Sequence, residues 1–174
     1  MEKTLIEESI LEVEYPIMEH FYTIQGEGAH TGRASYFIRT GGCDVQCWWC
    51  DVKDSWDESK HPKMKVKELV ELATASKAPF VVITKALKQA GLQTHIETSG
   101  SSPLSGELDW ITLSPKKFKP PVDEIYEHVK ELKVVVLRKN DFKWAEEHAK
   151  KCPAGTNLLL QPEWDSPDSI PLIV

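Results

Sequence analysis

Lys133-Val134-Val135-Val136-Leu137 decides the fold class. Its apolar residues run on without a polar residue at every second place. A strand buried on both faces has that pattern, and such strands belong to parallel sheets covered by helices. Asn157-Leu158-Leu159-Leu160 reads the same way. Further strand-like runs lie at residues 35–39, 80–84, 94–98 and 110–113. Helical patterns fall between them. Val66, Leu69, Val70 and Ala73 keep the i, i+3, i+4, i+7 spacing of an amphipathic helix over residues 65–76. Phe142, Ala145, Ala149 and Cys152 mark a second helix, with Asn140 or Asp141 as its cap and Pro153 as its stop. Residues 124–130 suggest a third. Alternating strands and helices give an α/β class with a mostly parallel sheet. About six strands are too few for a closed eight-stranded barrel, so a partial barrel or an open sheet is expected.

The length of 174 residues fits one domain with a real core, so residues 1–174 are read as a single domain. Charge is mixed in sign and the net value is -6, which argues against a general nucleic-acid or membrane-surface binder. No apolar run is long enough to span a bilayer and the N-terminus has no signal-peptide pattern, so a cytoplasmic protein is expected.

Of the 4 cysteines, three crowd into Gly41-Gly42-Cys43-Asp44-Val45-Gln46-Cys47-Trp48-Trp49-Cys50, a C-x3-C-x2-C pattern just after a strand. A disulfide framework spreads its cysteines to close loops, and this cluster closes none. Three thiolates this close suit three corners of an iron–sulfur cube and leave the fourth iron open. Zinc is one alternative, but a zinc site usually pairs C-x2-C with a second Cys or His pair. A ferredoxin-like carrier is another and would recruit Cys152 as the fourth ligand. The helical register of Cys152 instead directs it to the core with Phe142 and Ala149, as a small hydrophobe.

With Cys43, Cys47 and Cys50 in place, the chain resembles the radical S-adenosylmethionine (SAM) superfamily, where an aromatic precedes the last cysteine; Trp49 holds that position. It resembles one family more closely. Phe21-Tyr-Thr-Ile-Gln-Gly-Glu-Gly28, Gly32-Arg33, Phe37-Ile-Arg39, Val82-Ile-Thr84, Thr94-His-Ile-Glu-Thr-Ser-Gly100, Leu113-Ser-Pro-Lys116 and Leu160-Gln-Pro-Glu163 are similar, in order, to the 7-carboxy-7-deazaguanine synthase family. The resemblance implies a partial (incomplete) β/α barrel of radical SAM type. It implies contraction of 6-carboxy-5,6,7,8-tetrahydropterin to 7-carboxy-7-deazaguanine with loss of ammonia, in 7-deazapurine (queuosine-type) biosynthesis. The implied cofactors are a 4Fe–4S cluster on Cys43, Cys47 and Cys50, and SAM. The implied partners are the pterin substrate, an electron donor such as flavodoxin or ferredoxin, and a second copy in a homodimer.

The resemblance also assigns residues. Gln25, Gly26 and Glu27 form a turn matched to the pterin edge, where a carboxylate can accept two N–H bonds. Arg39 matches the position that forks onto the substrate carboxylate. Thr84 matches a further substrate contact. Trp49, Glu97, Ser99, Ser114, Lys116 and Gln161 match the SAM pocket. Related enzymes often carry Asp-Thr after the last cysteine, with the threonine near Mg²⁺. Here Asp51 is followed by Val52, which has no side-chain oxygen, so only Asp51 and the substrate are left to hold a hydrated Mg²⁺. The histidines add little: His95 reads as a core imidazole, His30 and His61 as solvated loop residues. Residues 53–67 read as a solvated loop and helix face.

One connection is too short. Eight or nine residues join Thr84 to Thr94, and a parallel crossover takes about a dozen or more. Residues 85–91 look like the end of a helix whose beginning is absent. The family continues past this threonine with Gly-Gly-Glu-Pro. The native chain is therefore expected to carry further residues after Thr84, and near or after the C-terminus; the alternative is a true deletion. The sequence leaves two rival functions open: another small radical SAM enzyme such as a glycyl-radical activase, and a non-catalytic iron–sulfur or zinc module.

Overall fold

A computed structural model describes residues 9–82, 92–104, 106 and 108–174. Thr84, and with it the short connection and the helix expected at residues 85–91, lies outside the described residues. The chain forms two compact units. The first is built from Met1–Gln46, Val52–His95 and Ser105–Asp109, the second from Cys47–Asp51, Ile96–Leu104 and Trp110–Val174.

In the first unit, β1 (Glu14–Ile24) pairs antiparallel with β2 (Ala34–Thr40) and with β3 (Lys63–Lys65). Strand β2 then pairs in parallel with β4 (Phe80–Val82), and β4 with Gln93, Thr94 and His95 of β5 (Gln93–Thr98), whose last three residues belong to the second unit. Helix α1 (Val66–Ala75) buries Val66, Leu69 and Ala73, the stripe its spacing predicts. Its first turn is closed by Glu68, whose carboxylate accepts the Lys65 N–H. Leu69 and Ala73 pack with Ile17, Tyr36, Ile38, Ala78 and Val81 into one core.

In the second unit, β6 (Trp110–Leu113), β7 (Glu131–Val136) and β8 (Asn157–Pro162) pair in parallel. Helix α2 (Asn140–Ala149) covers β7. Leu113, Ile125, Tyr126, Val129, Leu132, Val134 and Ala145 form the core, with Cys152 packed against it as its register predicts. Residues 124–130 give a 3₁₀ turn (Asp123–His128) rather than an α-helix.

The class is α/β with mostly parallel strands, and neither unit's sheet closes on itself. Among the described residues there are eight strands where about six are expected. The additions are β1 and β3, both antiparallel. Pro16 and a register shift between Ile17 and Glu19 break the alternation that would reveal β1. The expectation of two-faced burial is met in part for β7: Leu132, Val134 and Val136 form one buried face, while on the other face Glu131 is buried and Lys133 and Val135 are half-buried; it is not met for β8. Leu158 and Leu160, two residues apart and so on one face of β8, are exposed.

Candidate active site

The cysteine loop begins where β2 ends. Gly41 N–H donates to the Pro16 carbonyl at 2.9 Å, and the N–H groups of Gly42 and Cys43 both donate to the Ser55 carbonyl, at 2.7 and 3.1 Å. Gln46 takes a left-handed conformation with φ 49, and a turn closed by the Cys50 N–H on the Cys47 carbonyl follows at 2.9 Å. Cys47 is buried, while Cys43 and Cys50 are half-buried. Cys43 belongs to the first unit and Cys47 and Cys50 to the second. No cysteine is in a disulfide. Among the described residues, no three His, Cys, Asp or Glu side chains converge closely enough for a single metal ion. The donor set is nevertheless the one an iron–sulfur cube takes: three thiols in a short loop, with no second Cys or His pair beside them to complete a zinc tetrahedron. Cys152 stays in the second unit's core, where its Sγ lies 3.5 Å from the His148 carbonyl and burial pushes its thiol pKa up.

A cavity of about 240 Å³ opens in the second unit, and Trp49, Lys116, Lys117, Phe118, Asp141 and Trp144 are among its walls. Trp49 lies 5.0 Å from Phe118 between ring centroids, and its carbonyl accepts the Trp164 indole N–H at 2.9 Å. Of the residues matched to SAM, the fold brings Trp49 and Lys116 to this cavity. Lys116 Nζ donates to Ser114 Oγ at 2.6 Å, and Ser114 N–H donates to the Thr98 carbonyl at 2.7 Å. Ser114 and Ser99 therefore stand at adjacent strand ends. Glu97 accepts from Lys133 Nζ at 3.0 Å, and Ser99 bonds Ser101. Gln161 sits on β8 opposite Val135, itself a wall residue.

Lys117, Phe118, Asp141, Trp144 and Glu163 also line the cavity, and sequence reading did not assign them to it. Asp141 gave a signal as a candidate cap, and Glu163 as the last residue of the Leu160-Gln-Pro-Glu163 match. The cap residue by position is Lys139, but the Asp141 carboxylate does accept the N–H groups of Leu137 and Arg138, both at 2.8 Å, and pairs with Lys117. The described substrate-matched residues, Gln25, Gly26, Glu27 and Arg39, lie in the first unit. Gln25 is buried and its Oε1 accepts the Glu27 N–H at 3.3 Å, which shapes the turn. Gly26 and Glu27 are exposed. Arg39 pairs with Glu19, its register partner across β1 and β2. Asp51 is exposed, next to Val52. His30 departs from the solvated reading: its ring lies 4.5 Å from Phe80 and 5.7 Å from the buried His95.

Two groups in the second unit, one buried and one half-buried, contribute to the acid limb of stability. Burial pushes the Asp141 carboxyl up, but Lys117 and the two backbone N–H groups outweigh it, and the net shift is down. Burial, helped by Lys151, lowers the His148 imidazole. The unfolded chain therefore binds protons more readily at both groups, so stability falls as pH falls. The His148 contribution is present above about pH 6.5 and is lost below it. The Asp141 contribution is present above about pH 3.9 and is lost as pH drops through the depressed folded value. Urea midpoints measured from pH 8 to pH 3 are expected to decline in that order. An Asp141→Asn variant should flatten the lower part of the curve only, and a curve unchanged by that variant would contradict the assignment.

A C-x3-C-x-W-C loop set at the end of a strand in an α/β fold of mostly parallel strands defines a radical SAM enzyme. Known proteins narrow that class. No family model matches the chain. A 7-carboxy-7-deazaguanine synthase of Synechocystis sp. is 49% identical over 170 residues, covering 90% of this chain and 82% of its own. One of Flavobacterium psychrophilum is 51% identical over 172 residues, covering 91% and 82%. The crystal structure of QueE from Escherichia coli superposes with a TM-score of 0.81 at 26% identity, covering 95% of this chain and 91% of that one. The chain belongs to the 7-carboxy-7-deazaguanine synthase family, and it is a radical SAM lyase. The family implies a 4Fe–4S cluster and SAM as its cofactors.

Proposed function

We propose that this protein contracts 6-carboxy-5,6,7,8-tetrahydropterin to 7-carboxy-7-deazaguanine with loss of ammonia, in 7-deazapurine synthesis. The observation that carries the reading is the Cys43, Cys47, Cys50 loop at the end of β2, in a chain half identical over nine-tenths of its length to synthases of that name. Those three thiolates would hold the cluster, which when bound supplies the electron that cleaves SAM and yields a carbon radical. The chain's own residues bind and orient. Trp49 offers a flat apolar wall for the adenine, and Lys116 and Ser114 offer polar contacts beside it. Glu97, Ser99 and Gln161 complete the set assigned to SAM. Gln25 holds the Glu27 N–H, so the Glu27 carboxylate is preset to accept from the N–H edge of a pterin. The Arg39 guanidinium forks onto the substrate carboxylate, and Gly26 and Thr84 complete that set. Asp51 is left as the chain's ligand to a hydrated Mg²⁺. The reductant is a flavodoxin or ferredoxin, and the working unit is a homodimer.

Within what we read as a single domain, further native residues between Thr84 and Thr94 fit two observations. Strands β4 and β5 are parallel neighbours joined by fewer residues than the dozen or so a crossover takes. The 170 positions matched to the Synechocystis protein also exceed 90% of 174 residues, so that relative carries extra residues within the match.

The function is tested by anaerobic incubation of the reconstituted protein with SAM and reductant, with and without the tetrahydropterin. Release of 5'-deoxyadenosine that rises when the pterin is added is expected. No release would leave a non-catalytic iron–sulfur or zinc module. Release indifferent to the pterin would favour another radical SAM enzyme, such as a glycyl-radical activase.

A further inference from the structure

The backbone around Cys43 is braced by a segment of the first unit for which the sequence suggests only a solvated loop. Two 3₁₀ turns, Lys53–Trp56 and Glu58–Lys60, precede His61. Ser55 is buried, its carbonyl takes both the Gly42 and the Cys43 N–H, and its Oγ donates to the Val52 carbonyl at 2.7 Å. His61 closes the other side. Its Nε2 lies 2.7 Å from the Asp54 carbonyl. A carbonyl only accepts, so Nε2 carries the proton and donates. The ring so held lies hard against Gly41: a Cβ there would stand 2.4 Å from His61 Cδ2, whereas the nearest backbone atom, Glu58 Cα, would be at 3.5 Å. Gly42 has its own reason to be glycine, a φ of +90. Gly41 has no positive φ, so its lack of a side chain answers to the His61 ring.

We propose that His61 is a positioning residue for the first cluster thiolate. Tied to Asp54 and wedged over Gly41, the ring presses the Gly41-Gly42-Cys43 backbone onto the Ser55 carbonyl, and so fixes where the Cys43 sulfur stands. The inference rests on the reading of Cys43 as a cluster ligand.

The test uses the full chain, reconstituted anaerobically. The readouts are iron and acid-labile sulfide per chain, the rate of iron loss to a chelator, and the melting midpoint. His61→Ala should lose iron about tenfold faster, the scale on which groups that orient a metal ligand act. His61→Gln keeps an N–H donor and should stay near wild type. Gly41→Ala should lose iron at least as fast as His61→Ala. The double variant, with the ring removed and room made for the methyl group, should hold iron better than Gly41→Ala alone. Wild-type retention in His61→Ala, or losses that simply add in the double variant, would overturn the proposal. So would a lowered melting midpoint with an unchanged rate of iron loss. If His61→Ala does not fold, Gly41→Ala decides, and wild-type retention there overturns the brace. A wild-type protein that takes up no cluster would instead refute the reading of Cys43 itself.

Discussion

Cys47→Ser is expected to abolish both cluster uptake and SAM cleavage. Cys47 is buried, the only one of the three loop cysteines in that state, and the Cys50 N–H closes the loop on its carbonyl. Iron–sulfur clusters are held by thiolates, and a serine hydroxyl does not ionise near neutral pH to replace one. Two remaining thiolates cannot hold three irons of a cube. Iron and sulfide per chain should fall to near zero, and 5'-deoxyadenosine release to background. The change is small in volume, so the melting midpoint of the cluster-free chain should move little. Cys152→Ser is the control. That residue packs against the second unit's core, and placing a hydroxyl there should cost about 1 kcal/mol of stability with the cluster retained. A Cys47→Ser protein that still binds iron and cleaves SAM would remove the basis of the assignment, as would loss of the cluster in Cys152→Ser.

Arg39→Ala is expected to weaken pterin binding by about 1.5–3 kcal/mol, the worth of a hydrogen bond to a charged group, which is on the order of 10- to 100-fold in KM. The structure refines the basis for this. Arg39 pairs with Glu19, and the two side chains are 41% and 39% exposed. A pair that exposed contributes about 0–1 kcal/mol to stability, so its loss should leave the fold intact and the effect should fall on the substrate. SAM cleavage without pterin should be unchanged. Glu19→Ala separates the two roles of the guanidinium: with its partner gone, Arg39 should bind the substrate carboxylate at least as well. A wild-type KM in Arg39→Ala would refute the role. A raised KM in Glu19→Ala would make the pair, rather than the arginine alone, the substrate-binding unit.

What the sequence made legible was local or strongly periodic. The cysteine loop could be read because three ligands of one cluster lie within eight residues. Helix α1 could be read because Val66, Leu69 and Ala73 keep one face, and β7 because Val134, Val135 and Val136 run on without alternation. Strand β1 could not, because its pairing partners lie in β2 and β3 while Pro16 and a register shift hide its period. The same unalternating leucines that made β8 look buried leave it exposed, because burial depends on what pairs and packs beside a strand. The cavity walls escaped for a related reason. Phe118, Asp141 and Trp144 meet Trp49 only through the fold, and alone each reads as a core aromatic or a cap. In sequence His61 reads as one more polar loop residue, because the contact of its ring with Gly41 exists only in the fold. The Arg39–Glu19 pair follows from the β1–β2 register, which needed β1 to be known.

Conversion of the pterin tests the account most directly. The reconstituted protein is incubated anaerobically with SAM, reductant and 6-carboxy-5,6,7,8-tetrahydropterin, and the mixture is followed for the deazaguanine chromophore and for ammonia. The deazaguanine and ammonia are expected to appear together and in equal amounts, with the pterin consumed. Cleavage of SAM with the pterin recovered unchanged would contradict the proposed function.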